Sequence, residues 1–331
     1  MSTETSDLLF PPWLEPPLRH LTALAASGQP PPGLLVTGPQ GVGKRLLVRT
    51  FLQRSACTRA GASLFPCGEC NGCRSCLAGT HPEILEVMPE EPGKEILVDA
   101  IRAVTEFLSL SRSGPARLVF IEPAEAMNAN AANALLKTLE EPPAGAMILL
   151  AAARPARLPA TIRSRCRILR VPLPGAGEIG GWLQHFSGSD MTLEQAIAAS
   201  LNRPLEAAEL LRDEGAVEAW RRDQGALSAL LESQSPFPVI EGFRHCDLKS
   251  LIPRLQCLLL SAQYFLSTGE HDGFGRLFER RALEGFSRRL GARVLARLSA
   301  ESMRWHREVG VPLNPDLRCE ALVLRLMNPG R

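Results

Sequence analysis

The sequence predicts an α/β domain built on a parallel sheet, followed by an all-helical region. Three observations carry this. Short apolar runs of strand length alternate with helical stretches between residues 33 and 171, the pattern of a parallel sheet covered on both faces. The segment "GPQGVGKR" (38–45) stands between one such run and a helix. After "PLPGAG" (172–177) the pattern changes, and residues 178–331 show helical periodicity with no convincing strand.

The elements follow in order. Pro pairs at 11/12 and 16/17 and the run 30–32 punctuate the start, and "LRHLTALAAS" (18–27) reads as a short amphipathic helix. "GLLVTG" (33–38) reads as a buried strand, and "KRLLVRTFLQRSAC" (44–57) as a helix. A cysteine-rich insert precedes a second strand, "EILEV" (83–87). In "LVDAIRAVTEFLSLS" (97–111), Leu97, Ile101, Val104 and Leu108 fall on one helical stripe. "RLVFIE" (117–122) and "MILLAA" (147–152) are strands, and "NANAANALLKTLEE" (128–141) is a helix stopped by Pro142 and Pro143. "RILRV" (167–171) closes the sheet. Farther on, "LIPRLQCLLLSAQYFL" (251–266) is strongly apolar, and "NPDLRCEALVLRLM" (314–327) begins with an Asn cap and a Pro at the first helical position. No fixed-period repeat is present.

Composition sets the bounds. At 331 residues and 45% hydrophobic content, the chain is long enough for two or three domains with a sizeable core. A formal net charge of +2 gives no global basic field for nucleic acid. Lysine occurs only at positions 44, 94, 137 and 249, and the arginine excess reads as genome composition. No apolar window is long enough for a membrane span. No Lys or Arg precedes Arg19, and no secretory pattern is visible. A cytoplasmic protein without membrane contact is expected.

"GPQGVGKR" is a P-loop with one departure. Such a loop wraps phosphates with backbone N–H groups, reaches the outer phosphates with Lys, and holds Mg²⁺ with a Ser or Thr hydroxyl. Gly38, Gly43 and Lys44 supply the first two functions. Arg45 stands where the hydroxyl belongs, and a guanidinium offers only donors. Two further parts depart in the same direction. The strand "RLVFIE" ends in Glu122 and is followed by Pro123, not by a second carboxylate. The strand "LLAAARP" (149–155) ends in alanines where a γ-phosphate sensor would stand. Hydrolysis is expected to be lost, ATP binding is doubtful, and no complete active site is expected.

Nine cysteines in a cytosolic chain argue against disulfides. "CGECNGCRSC" sets Cys67, Cys70, Cys73 and Cys76 at uniform CxxC spacing, which points to a metal. A ferredoxin run has similar spacing, but its fourth cysteine serves a second cluster. Four thiolates this close in sequence wrap one tetrahedral ion awkwardly. Cys57, at the end of the P-loop helix, is the better closing ligand. The favoured site is structural Zn²⁺ on Cys57, Cys67, Cys70 and Cys73, with Cys76 the alternative fourth ligand. Cys166, Cys246, Cys257 and Cys319 read as packed thiols.

These motifs together resemble one family, the δ′ subunits of the bacterial DNA polymerase III clamp loader, in the AAA+ class. The resemblance is carried by "PPWL", "GLLVTGPQGVGK", "PCGECNGC", "AGTHPE" (78–83), "NALLKTLEEPP" (133–143) and "LPATIRSRC" (158–166), with "NPDLRCEALVLRL" at the far end. It implies an AAA+ P-loop domain over 1–172 with a four-cysteine zinc module at about 57–76, a helical lid over 173–213, and an oligomerising helical collar over 214–331. It implies the γ/τ and δ subunits as partners and, through them, the β sliding clamp and primed DNA. The family's zinc ligands fall on Cys57, Cys67, Cys70 and Cys73. The paralogous γ/τ subunits carry an intact P-loop and an Asp-Glu pair, so Arg45 and Glu122-Pro123 favour δ′. The lid's usual sensor arginine would fall near "LNRPLEAAEL", where Arg203 and Pro204 stand, and is not assigned.

In the AAA+ class the corner before the last strand faces the next subunit's nucleotide. Here "TIRSRCRIL" puts Arg165 at that corner, as an arginine finger given in trans. The plainer reading is a solvated basic edge of Arg163, Arg165, Arg167 and Arg170. Two other functions stand against the architectural one: a self-sufficient ATPase or switch, and an iron–sulfur DNA-processing protein.

Overall fold

The computed structural model describes residues 9–27, 30–91, 93–110, 116–308 and 314–328. The expectations for the first eight residues, and for the end of the 97–111 helix at residue 111, lie outside them. The described residues form two compact units that divide after Trp182. No helix among them is long and apolar enough to cross a membrane.

The first unit holds five parallel strands: β1 (Gly33–Thr37), β2 (Ile84–Val87), β3 (Arg117–Ile121), β4 (Ala146–Ala152) and β5 (Arg167–Arg170), in the order β2-β3-β4-β1-β5. All five lie within a residue or so of where the sequence puts them. β1, β3 and β4 are buried along their whole length, which is why they read as unbroken apolar runs. Register sets Leu35 of β1 beside Leu150 of β4 and Ile168 of β5.

Six helices belong wholly to this unit: α1 (Glu15–Ala26), α2 (Lys44–Ala56), α3 (Asn71–Leu77), α4 (Val98–Ser109), α5 (Ala129–Glu140) and α6 (Ala160–Arg165). On one face of the sheet, Leu35, Val119, Ile121, Ile148 and Leu150 pack with Ile101, Val104 and Leu108 of α4 and Leu135 and Leu139 of α5. The helix expected at 18–27 begins at Glu15, because Pro16 and Pro17 sit in its first turn, where a missing N–H costs nothing. Leu97 is not on the α4 stripe. It precedes the helix in extended conformation and is 53% exposed. α3 and α6 were not anticipated.

α7 (Ala176–Leu183) spans the division. The second unit then contains α8 (Leu193–Ala199), α9 (Pro204–Arg212), α10 (Glu214–Glu232), α11 (Pro236–Arg244), α12 (Leu248–Thr268), α13 (Arg280–Glu308) and α14 (Pro315–Met327). Its core joins Leu227 and Leu230 of α10, Phe243 of α11, Leu255 and Leu258 of α12, Phe286 and Leu295 of α13, and Val323 of α14. Within it, Arg254 pairs with buried Asp223. α13 is bent at Gly291, whose φ of 72° and ψ of 163° leave the helical region.

Candidate functional site

The loop after β1 keeps the P-loop's backbone shape. Gly43 caps α2 at a φ of 105°, a left-handed conformation that a side chain would oppose. A β-carbon there would also stand 2.7 Å from Leu14, which packs against the loop from the amino-terminal segment. Beside it, the Trp13 indole N–H donates to the Val42 carbonyl at 2.9 Å. Thus "PPWL" braces the loop, a role that sequence reading did not give it.

Lys44, the first residue of α2, is buried. Its ammonium donates to the loop's own carbonyls, Gly38 at 2.9 Å and Pro39 at 2.7 Å. Burial pulls its pKa below the ordinary lysine value, with the charges of Glu122 and Glu125 opposing.

Arg45 reaches across to the end of β3. Its Nε lies 3.5 Å from Glu122 Oε2, and its Nη2 donates to Met88 Sδ at 2.9 Å. Burial pushes the Glu122 carboxyl up to about 7, against the pull of Arg45 and Lys44. One turn along α2, Arg49 pairs with Glu86 of β2 at 3.1 Å. The carboxylate that would hold a metal in a working P-loop site therefore has a cation of this chain beside it, although its Oε2 accepts no hydrogen bond among the described residues. Glu125 is committed through one oxygen, while its Oε2 is buried without a hydrogen-bond partner among the described residues. Its Oε1 accepts the N–H groups of Ala153 and Arg154, both at 3.0 Å, at the end of β4. A divalent ion fits this arrangement poorly. Its hydroxyl ligand is missing, and Glu122 already faces two cations. Glu125 was overlooked in the sequence, although it follows Glu122 by three residues.

The cysteine cluster forms at the other end of α2. Cys57 ends that helix, and Cys70 caps α3. The sulfurs of Cys57, Cys67, Cys70 and Cys73 all lie within 4.8 Å of one another, a set that could hold a metal ion. Two of the separations, Cys57–Cys70 and Cys67–Cys73, are 3.9 Å. A tetrahedron with Zn–S bonds of about 2.3 Å has edges of about 3.8 Å. Amide groups already point at the sulfurs. The N–H groups of Cys67, Cys70 and Cys73 donate to Cys57, Cys67 and Cys70 in turn, each at 3.4 Å. The Cys73 amide, with Thr58, holds the Cys70 thiol down at about 5. α3 can approach α2 only because residue 72 is glycine, since a β-carbon there would stand 1.9 Å from the Ala56 carbonyl. Cys76 lies outside the set, buried, with burial pushing its thiol up to about 11. Cys166 and Cys319 are buried, and Cys246 and Cys257 are partly so.

Arg165 is the last residue of α6 and is exposed. Its Nη1 donates to the Thr161 carbonyl at 3.0 Å, and its Nη2 lies 2.5 Å from Glu140 Oε1. A β-carbon on Gly33, at the start of β1, would lie 3.3 Å from the Arg165 carbonyl. Lys44 follows the other end of the same strand. Five residues of strand, about 16 Å, separate the two ends. The structure does not bring Arg165 together with Gly38, Gly43 and Lys44.

The strand order, with β4 between β1 and β3 and a glycine loop leading from β1 into α2, defines the class: a P-loop domain of the AAA+ type. A family profile described as "DNA polymerase III, delta subunit" matches residues 14–174. The DNA polymerase III subunit δ′ of Pseudomonas aeruginosa is 36% identical over 267 residues, covering 79% of this chain and 81% of that one. The subunit of the same name from Escherichia coli is 32% identical over 256 residues, covering 76% and 75%. The DNA polymerase III subunit τ of Bacillus subtilis is 31% identical over 199 residues, 59% of this chain and 31% of that one. The chain belongs to the DNA polymerase III subunit δ′ family.

Proposed function

We propose that the chain is a non-hydrolysing subunit of a DNA polymerase III clamp loader. It acts in DNA replication beside γ/τ and δ subunits and helps load a β sliding clamp on primed DNA. Residues 173–213 serve as a lid and 214–331 as an oligomerising collar. Arg165 is given to the nucleotide of a neighbouring γ/τ subunit. There its forked, permanently charged donors stabilise the charge that develops on the γ-phosphate.

The observation that carries this reading is the separation of Arg165 from Lys44 along β1. An arginine at the opposite end of the strand from its own P-loop has no phosphate to serve in this chain. It is exposed, so a neighbour can reach it. The P-loop supports the same reading from the other side, because Arg45 pairs with Glu122 and Pro123 follows it.

The test is a reconstituted loader. Arg165→Ala leaves co-purification with γ/τ and δ intact and lowers clamp- and DNA-stimulated ATPase. A finger is worth roughly 10³ to 10⁵ in rate at the site it serves. Arg163→Ala does much less. Full activity with Arg165→Ala leaves the chain a scaffold only.

Retention of Lys44 and Gly43 keeps a second reading in view, a self-sufficient ATPase or nucleotide switch. ATP turnover by the purified chain alone separates the two. For the cysteine set we assign Zn²⁺ on Cys57, Cys67, Cys70 and Cys73. Four thiolates leave no open position, so its role is structural.

A further inference from the structure

The net charge of +2 conceals a strong local imbalance. α13 carries eight arginines against three glutamates, with no lysine or aspartate. Gly291 divides it into two arms. Leu283 and Phe286 of the first arm, and Leu295, Leu298 and Trp305 of the second, face the core. At 100° per residue, Arg281 and Arg288 fall within about 20° of each other, and Arg293, Arg297 and Arg304 within about 40°. Both stripes lie opposite the buried side chains, and all five arginines are exposed.

The surroundings of these arginines are informative. Four of the exposed positions between them are small, Gly285, Ala292, Ala296 and Ala300, while Arg289 and Met303 flank the stripes. No carboxylate lies at the centre of either stripe. Glu284 sits to one side and pairs with Arg280 at 2.8 Å and Arg288 at 3.8 Å. Glu301 flanks Arg297 at 3.8 Å. Among the residues whose side chains are described, Arg281 and Arg293 make no ion pair. A merely solvated helix face mixes both signs, because i,i+4 pairs of opposite charge support the helix. Here the arginine stripes run roughly 10 Å along one arm and 16 Å along the other.

From this we infer that the outer face of α13 binds the phosphodiester backbone of duplex nucleic acid. A duplex carries one negative charge per about 1.7 Å of axis, a continuous match for an extended cationic stripe. Arginine forks pair with phosphate oxygens, and the small residues between them let a rigid backbone approach. The stripes bear no exposed aromatic side chain. Bases of a single strand would have nothing to stack on, so the face fits a duplex and reads no sequence. The inference depends on neither the P-loop nor Arg165.

The test uses the full chain and fluorescein-labelled 20-base-pair duplexes of unrelated sequence, followed by anisotropy at several salt concentrations. The expected result is binding indifferent to sequence, with log K falling linearly with log salt. The variant Arg281→Ala/Arg293→Ala/Arg304→Ala loses at least tenfold in affinity. Its salt slope falls by about 0.9 for each phosphate contact removed. Its melting temperature stays that of the parent, since all three side chains are exposed. The control Arg163→Ala/Arg167→Ala/Arg170→Ala binds as the parent does. Three outcomes overturn the inference: no binding at low salt, equal loss in the control, or undiminished binding by the α13 variant. Displacement of the duplex by equimolar polyglutamate also overturns it, because the face would then be a general acidic-partner surface.

Discussion

Arg45 and Glu122 face each other across the P-loop corner with Nε 3.5 Å from Oε2. Taken singly, each is a departure from a working ATPase. Together they set a guanidinium where a metal would otherwise stand beside this carboxyl group. The purified chain should therefore show no ATP turnover in the presence of Mg²⁺. Turnover of about one per second that disappears with Lys44→Ala would contradict this.

The same carboxyl makes stability depend on pH. Its folded pKa of about 7 lies above its ordinary value of 4.5, so between these two values the folded chain holds a proton that the unfolded chain has released. Stability is therefore highest near the lower value, declines as pH rises toward 7, and is level beyond it. Lys44, Arg45 and Arg49 favour the charged form and Glu86 opposes it, but burial outweighs them. Glu122→Gln should flatten this decline. The difference at pH 8 should be on the order of 3 kcal/mol at most. Urea midpoints for both proteins at pH 5 and pH 8 measure it. Parallel pH dependence in the two would show that Glu122 is not the titrating group.

Elemental analysis should find about one zinc per chain. Cys70→Ser should lose the metal and melt the module, as expected where a structural metal site and its local fold form together. Cys76→Ser should keep it. Metal retained in Cys57→Ser and lost in Cys76→Ser would mean that the fourth ligand is Cys76.

Gly72 offers a test free of ligand chemistry. An alanine there must push α3 away from the Ala56 carbonyl. Gly72→Ala should destabilise the first unit by about 1–3 kcal/mol and weaken zinc retention during dialysis against a mild chelator. An unchanged melting temperature with full metal content would show that α3 can shift without cost.

The sheet was legible because β1, β3 and β4 are buried on both faces, so their apolar runs are uninterrupted. Helix ends were less so. Pro16 and Pro17 look like breakers, yet they begin α1, since proline tolerates a first turn and not a later one. α3 and α6, of seven and six residues, are too short to show a period. Gathering of Cys57 with Cys67, Cys70 and Cys73 could be argued from spacing, because a four-thiolate site restricts which sulfurs can meet. The pairing of Arg45 with Glu122 could not. They are 77 positions apart in sequence, and only the parallel placement of β1 and β3 around β4 brings them near.

α2 begins in the P-loop with Lys44 and ends on Cys57. A rod of 13 residues, about 20 Å long, is therefore gripped at both ends. Here the amino end is already tied down by Lys44, Arg45 and the Trp13–Leu14 brace, while the carboxyl end meets the thiolate cluster. The helix is a strut held at both ends. Heat stability measured by thermal melts should fall with a chelator and stay unchanged with ATP.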